Sequence, residues 1–279
     1  MPVISTNTAA NSAVRYLNVN SADQSSSLSK IASGSRINKA SDDAAGLAIS
    51  TRISSDVVAL EQAATNASHA IAMLQTADGG AANVSDILMR MKALASQSAS
   101  ATVTATGGAD TMRAYIDAEF QELDNEINAI ASSTRYNGQS LLDGTGTFGN
   151  VLVGSDATDL ISLSLETTAD LSSATLGIAA LAVDTQAGAL AAVTALDTAL
   201  DTVSTARANI GAAQSRFEFR AATIATSVEN LSAANSAIED VDIAAEQAKL
   251  SSSEVKVQAA VAAAASANSM PQALLKLLG

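Results

Sequence analysis

From Leu196 to Ile238 every seventh residue is apolar: Leu196, Val203, Ile210, Phe217, Ile224, Leu231 and Ile238. A hydrophobic repeat sustained at this interval specifies a long helix packed lengthwise against other helices, here spanning roughly 65 Å at about 1.5 Å per residue. The companion seam, taken four residues on, reads Leu200, Arg207, Gln214, Ala221, Val228 and Asn235. Half of it is polar, which predicts several neighbours and some solvent. Taken singly, Arg207, Gln214 and Asn235 read as ordinary exposed residues; taken together they allow a second reading, since polar residues at core-type positions cost stability and fix register.

Upstream, Val14, Leu17, Leu28 and Ile31 keep heptad-compatible spacing, with Ser21 and Gln24 between them. So thin a stripe predicts a helix over 1–33 that is stable only under a partner, ended by Gly34. Ser41 ahead of Asp42 and Asp43 suits a helix start with acids in its first turn. Ile53, Val57, Leu60, Ala64, Ala67, Ile71 and Leu74 then alternate at four and three. Continuing that phase would bury Asp78, Ser85 and Lys92, so the reading restarts at Ala77, Ala81, Val84, Leu88, Met91 and Ala95. The inserted three predicts local overwinding and a bend at Gly79-Gly80. Beyond a Ser/Thr/Gly-rich loop at 102–108, a third helix carries Ile116, Phe120, Leu123, Ile127 and Ile130.

The period changes after Tyr136. Asn137-Gly138 and Asp143-Gly144 are turn pairs, and Ile161, Leu163 and Leu165 alternate with Ser162 and Ser164 as in a half-buried strand. After the long heptad helix, Leu250, Val257, Val261 and Ala264 keep phase in an alanine-rich tail that closes on MPQALLKLLG. The expected fold is mainly α: long antiparallel helices in a coiled-coil-like bundle with a small β-hairpin region. Five segments follow: 1–40, an end helix and linker; 41–135, long helices; 136–185, a small β-rich insert; 186–243, the long heptad helix; and 244–279, the other end helix.

Composition sharpens this. Aromatics make up 3% of the chain and tryptophan is absent, so alanine supplies much of the apolar fraction, favouring helix and close helix contacts over a bulky core. The only prolines are Pro2 and Pro271, leaving the helices between them uninterrupted. Cysteine is absent, which excludes disulfides and thiolate metal sites. The opening residues lack the basic segment and apolar run of a cleaved leader, and no apolar run is long enough to span a bilayer. A net charge of −13 argues against nucleic acid and anionic membrane. It is uneven: residues 1–34 carry +1 (Arg15 and Lys30 against Asp23), residues 248–279 carry +2 (Lys249, Lys256 and Lys276 against Glu254), and the middle −16. Repulsion is confined to the middle, and the two ends are free to pack against copies of themselves.

Candidate chemistry is sparse. The single histidine, His69, has no histidine or cysteine partner for a metal or a general base. Asp240, Asp242 and Glu246 loosely match calcium-loop spacing but lack its turning glycine; they read as a solvated face or ion pairs. Asn66-Ala-Ser68 and Asn83-Val-Ser85 match a glycosylation pattern inside predicted helices, the wrong context for it. No nucleophile, base and orienting group can be assembled, so neither an enzyme nor a cofactor is expected.

Several long stretches nevertheless resemble bacterial flagellin: IASGSRINKASDDAAGLAISTRI, TRYNGQSLLDG, ARANIGAAQSRFE, TIATSVENLSAANSAIEDVDIAAE and MPQALLKLLG, in the family's order, within a resemblance that takes in both ends of the chain, roughly 240 residues. The resemblance implies a structural subunit of the extracellular flagellar filament, exported unfolded without a cleaved leader and polymerised at the growing tip. The chain's ends would form an inner tube and the long helices an outer layer. The insert is short, which implies a minimal subunit. The packing core would be Ile53, Val57, Leu60, Ile71, Leu74, Leu88, Ile116, Phe120, Leu123, Ile127 and the heptad series Leu196 to Ile238. The polymerising ends would be Val14, Leu17, Leu28, Ile31, Val257, Val261, Leu274 and Leu278. Implied partners are further copies of the chain, an export chaperone at the C-terminal end, and the filament cap and hook-junction proteins. Arg90, Leu94 and Gln97 match the family's patch for an innate immune receptor, but Ala93 stands in place of a glutamate and Lys92 in place of an arginine, which implies weakened recognition. Rival readings are the hook–filament junction protein and a surface binding protein of flagellin type; Tyr136 and Phe148 alone would offer aromatic platforms for the latter.

Overall fold

The computed structural model describes residues 7–101, 109–146, 149–163 and 170–278, with the side chains of 109–110 and 271–278 outside the description. In chain order the elements are α1 (Thr8–Ser33), α2 (Ala44–Ala99), α3 (Ala109–Ser133), β1 (Arg135–Tyr136), β2 (Gln139–Ser140), β3 (Asn150–Leu152), β4 (Leu160–Ser162), α4 (Gln186–Glu239) and α5 (Ile243–Leu278). Two compact units divide them, Met1–Val57 with Glu229–Gly279, and Val58–Val228.

In the first unit α1 and α5 pack side by side. Asn7 caps α1, its Oδ1 accepting from the Ala10 N–H at 3.1 Å, while its Nδ2 donates to the Ala267 carbonyl at 2.7 Å. At the other end of α1, Ser27 bonds Glu246, so the two helices run antiparallel. Gly34 closes α1 with φ +76°, its N–H on the Lys30 carbonyl, a conformation that L side chains resist. The chain then pairs with the end of α4: Ser35 bridges Asp240, the Arg36 N–H donates to the Glu239 carbonyl at 2.6 Å, and the Val241 N–H donates to the Gly34 carbonyl at 3.0 Å. The cap of α2 is Asp43, whose Oδ1 accepts from Gly46 N–H at 2.8 Å. Ser41, expected in that role, precedes the cap instead of forming it; Asp42 holds the Asn38 and Lys39 N–H groups.

The second unit holds the main core. The pairs Asp78–Arg207, Lys92–Asp197 and Ala99–Gln186 step in opposite directions along α2 and α4, fixing them antiparallel, and Arg90–Glu119 with Ser98–Arg113 does the same for α2 and α3. The buried stripe of α2 is Leu60, Ala63, Ala67, Ala70, Leu74, Ala77, Ala81, Val84, Leu88, Met91, Ala95 and Ser98. It alternates at three and four without interruption. The expected phase slip is therefore absent, and α2 runs helical through Gly79-Gly80. Ala63 and Ala70 form the companion seam, three residues on, where Val57, Ala64 and Ile71 were expected; those three are only half-buried. Asp78 stays at the edge of the stripe and pairs with Arg207 at 2.9 Å.

The same correction holds in α4. Its fully buried residues are Ala189, Ala192, Leu196, Ala199, Val203, Ala206, Ile210, Phe217 and Ile224, so the companion seam consists of alanines three residues on, and Leu200, Arg207 and Gln214 lie half-buried beside it. A seam of methyl groups lets two helix backbones approach closely, which larger residues at Leu200 and Ile71 would prevent. Gly80 has a packing role: a Cβ there would lie 2.6 Å from Thr134 Oγ1 and 2.7 Å from Leu142 Cδ1, whereas Gly79 faces open space.

Beyond α3, Asn137 (φ 50°) and Gly138 (φ +81°) turn β1 into β2, two consecutive left-handed residues as a tight hairpin requires. Asp143-Gly144 makes a bend instead, with Asp143 Oδ1 accepting from both the N–H and the hydroxyl of Thr145. The β3–β4 hairpin pairs Val151 with Ile161. Ile161 and Leu163 are buried as their alternation predicts; Leu165, Ser164, Phe148 and the loop at 102–108 lie outside the described residues. Arg113, buried, donates to the Ser98 carbonyl at 3.0 Å and the Ser100 carbonyl at 3.4 Å, capping the C-terminus of α2.

Candidate functional site

The α1–α5 seam is built from small and polar side chains. Ala10 and Ser27 of α1 are buried, as are Glu246, Leu250, Ser253, Ala260 and Ala267 of α5; Leu17, Ile31 and Val257 are half-buried. Val14, Leu28 and Val261 are exposed at 46%, 57% and 52%. Leu274 and Leu278 lie in α5 with side chains outside the described set. Heptad reading thus ranked by size, while the contact selected for smallness. Exposed large residues that it passed over are Tyr16, Val19, Ile243, Val255 and Met270. Each half of the pair turns its bulk outward.

Within the seam Ser27 Oγ donates to Glu246 Oε1 at 2.7 Å, and Lys249 Nζ donates to Glu246 Oε2 at 3.0 Å. The Ser27 hydroxyl first, then Lys249, hold the Glu246 carboxyl below its ordinary range against the opposing effect of burial. Glu246, expected on a solvated face, is thus a buried anchor. Asp242 caps α5 through Ala245 N–H at 3.0 Å, and Asp240 accepts from Ser236 at 2.5 Å. The three acids go to three separate tasks.

In the second unit, Phe120 and Ile127 of α3 are fully buried, and Leu123 and Ile116 half-buried. In the first unit, Ile53, Leu231 and Ile238 are half-buried; Asn235 there bonds Glu239 at 3.2 Å and Ser54 at 3.4 Å. Arg90 is exposed and donates to Glu119 at 2.5 Å; Gln97 is exposed. Leu94 is 3% exposed, so of these three only Arg90 and Gln97 present side chains at the surface. His69 Nδ1 lies 3.2 Å from the Tyr136 hydroxyl. Asn66 donates to the Leu152 carbonyl at 3.2 Å, and both it and Asn83 sit inside α2. Among the described residues no group of three potential metal ligands forms, and no described helix is long and apolar enough to cross a membrane.

Two family models match this chain. That of the bacterial flagellin N-terminal helical region covers residues 4–147, and that of the C-terminal helical region covers residues 193–278. A flagellin of Halalkalibacterium halodurans is 38% identical over 276 residues, with 99% of each chain covered. A flagellar filament 30.7 kDa core protein of Treponema maltophilum is 32% identical over 288 residues, also at 99% of each. Among solved structures, the crystal structure of Bacillus cereus flagellin shares 29% identity and a TM-score of 0.50, covering 57% of this chain and 88% of that one.

Proposed function

This chain belongs to the bacterial flagellin family, and from that premise we propose how it builds the flagellar filament. It is a structural subunit, extracellular in the filament, and not an enzyme. The observation that carries the assembly reading is the mismatch in the first unit: apart from Leu250 and Glu246, the described residues that α1 and α5 bury against each other are alanine and serine, while Val14, Leu28 and Val261 stay exposed. Neighbouring copies cover these residues, so Val14, Leu17, Leu28, Ile31, Val257, Val261, Leu274 and Leu278 are the polymerising set. Repetition of one such unlike-to-unlike contact yields an open helical polymer.

The finer partners belong to the same proposal. An export chaperone takes the apolar C-terminal end before assembly, and the cap and hook-junction proteins meet the filament's two ends. The innate receptor reads Arg90 and Gln97 weakly, because Ala93 offers no carboxylate for a charge-assisted contact. Export leaves the N-terminus uncleaved, which N-terminal sequencing of secreted protein tests. The assembly test is seeded polymerisation of the purified chain followed by electron microscopy. Long filaments are expected; short stubs that stop after a few copies would favour a junction protein instead.

A further inference from the structure

Outside the α1–α5 seam, the second unit carries two unlike surfaces that its own fold leaves uncovered. The first is a groove of about 490 Å³ between the β3–β4 hairpin and α4, lined by Val153, Leu160, Ile161, Arg216, Phe219 and Thr223. Arg220 ties its wall together, donating from Nε to the Val153 carbonyl at 2.9 Å and pairing with Asp159 at 2.9 Å. Phe219 is 76% exposed, a large aromatic in a chain with few, and beside it Arg216 has no ion pair among the described residues. A guanidinium with no described acid against it, next to an exposed ring and within a middle that carries a large negative excess, is a distinct cationic and apolar feature.

The second surface is one stripe of α3. Met112, Tyr115, Glu119, Glu122 and Glu126 fall at three-and-four spacing and are all exposed, so they share a face turned away from the Phe120–Ile127 core. Tyr115 is 73% exposed. Glu119 is engaged by Arg90, whereas Glu122 and Glu126 have no ion pair among the described residues. The stripe is therefore apolar at one end and anionic beyond it, the chemical complement of a groove that is apolar with a cationic rim.

We propose that the groove beside Phe219 in one copy receives the Tyr115 end of α3 from another copy, with Glu122 facing Arg216. This inference rests on the filament reading. Tyr115 supplies area at low entropic cost and buries against Phe219 and Leu160, while the charges set orientation. Because the two surfaces differ, each copy uses both at once, and the contact propagates without closing.

Seeded elongation of the full chain, followed by light scattering, tests the charges. Arg216→Glu and Glu122→Arg each slow growth by roughly tenfold or more, and the double reversal recovers to within about twofold of the unaltered chain. The native absence of cysteine permits a second test, in which Tyr115→Cys and Phe219→Cys copies are co-polymerised and oxidised. Disulfide dimers form in the mixed filament and in neither pure filament. Dimers in pure Tyr115→Cys filaments, or none in the mixture, overturn the groove assignment, as do single reversals that grow at the unaltered rate. If the unaltered chain forms no filaments on seeds, the filament reading itself fails and this contact falls with it.

Discussion

Ser27 and Glu246 stand 219 positions apart in the chain and meet at 2.7 Å inside the α1–α5 seam. Replacing Ser27 with Ala removes a donor from a buried carboxylate, at a cost of about 1–3 kcal/mol. Filaments of Ser27→Ala should dissociate at a lower temperature than wild type, whereas Ser26→Ala, on the exposed side, should not.

The pH dependence of that bond has a definite sign. Glu246 is held below its ordinary value of 4.5, so the folded state favours the charged form. Its contribution is complete above that value and is lost as pH falls through the lowered one. Below about pH 4.5 the dissociation temperature should therefore fall more steeply for wild type than for Glu246→Gln. Parallel curves would show that Glu246 does not contribute.

Asp124 works in the opposite direction. Its Oδ1 is buried without a partner, and desolvation raises its pKa above the ordinary 3.8 despite a hydrogen bond from Ser173. The charged form is disfavoured in the folded state, so the group is destabilising at neutral pH and the penalty disappears as pH drops through the raised value. Asp124→Asn should raise the midpoint of thermal unfolding at pH 7 by a few degrees, about 1 kcal/mol, and have little effect near pH 3. An equal gain at both pH values would contradict the assignment.

Adjacent glycines offer a test of opposite signs. Gly79→Ala adds a methyl in open space in mid-helix and should stabilise by roughly 1 kcal/mol. Gly80→Ala drives the same methyl into Thr134 and Leu142, and the overpacking, about 1–3 kcal/mol, outweighs the helical gain. Thermal unfolding of the two variants should move in opposite directions.

The long elements were legible because seven-residue repetition of large apolar groups is a strong signal, and Leu196 through Ile224 lie buried as it specifies. The partner seam was not legible: Ala63, Ala70, Ala199 and Ala206 are hidden because they are small, while hydrophobicity ranked Ile71 and Leu200 above them. The same bias produced the phase slip at Gly79-Gly80. Turn chemistry at Asn137-Gly138 was readable because two left-handed residues have few sequence solutions, but the Asp43 cap was displaced by an equally suitable Ser41. Contacts that depend on distant segments, such as Ser27 with Glu246 or Arg113 with the end of α2, have no local signature.

That seam phase is itself open to measurement. Ala77→Leu, at a position with no exposure, forces the two helices apart and should cost about 1–3 kcal/mol; Ala64→Leu, at the half-buried edge, should cost little. Equal losses would restore the four-residue companion seam. Phe217→Asp and Ile224→Asp bury a carboxylate under either phase, and each should cost several kcal/mol. Melting within a few degrees of wild type, with polymerisation intact, would exclude a core role for either residue.

The ends give the last prediction. Among the described residues, helices α1 and α5 bury alanine, serine, one carboxylate and a single large apolar side chain, Leu250, between them, and fixing a backbone costs roughly 1–2 kcal/mol per residue. That seam is too thin to hold both helices ordered by itself, whereas covering Val14, Leu28, Val255 and Val261, each 46–66% exposed, adds on the order of 1 kcal/mol per side chain on assembly. Ordering and polymerisation are then one coupled event. Removal of residues 1–33 and 250–279 should leave a soluble, folded middle that does not polymerise, because the core from Leu60 to Ile224 lies in the second unit. In the intact monomer both ends should exchange amide hydrogens rapidly and be cut early by protease, and in the filament both should be protected. Slow exchange at the ends of the free monomer, or long filaments grown from the truncated middle, would show that the subunit folds first and assembles afterwards.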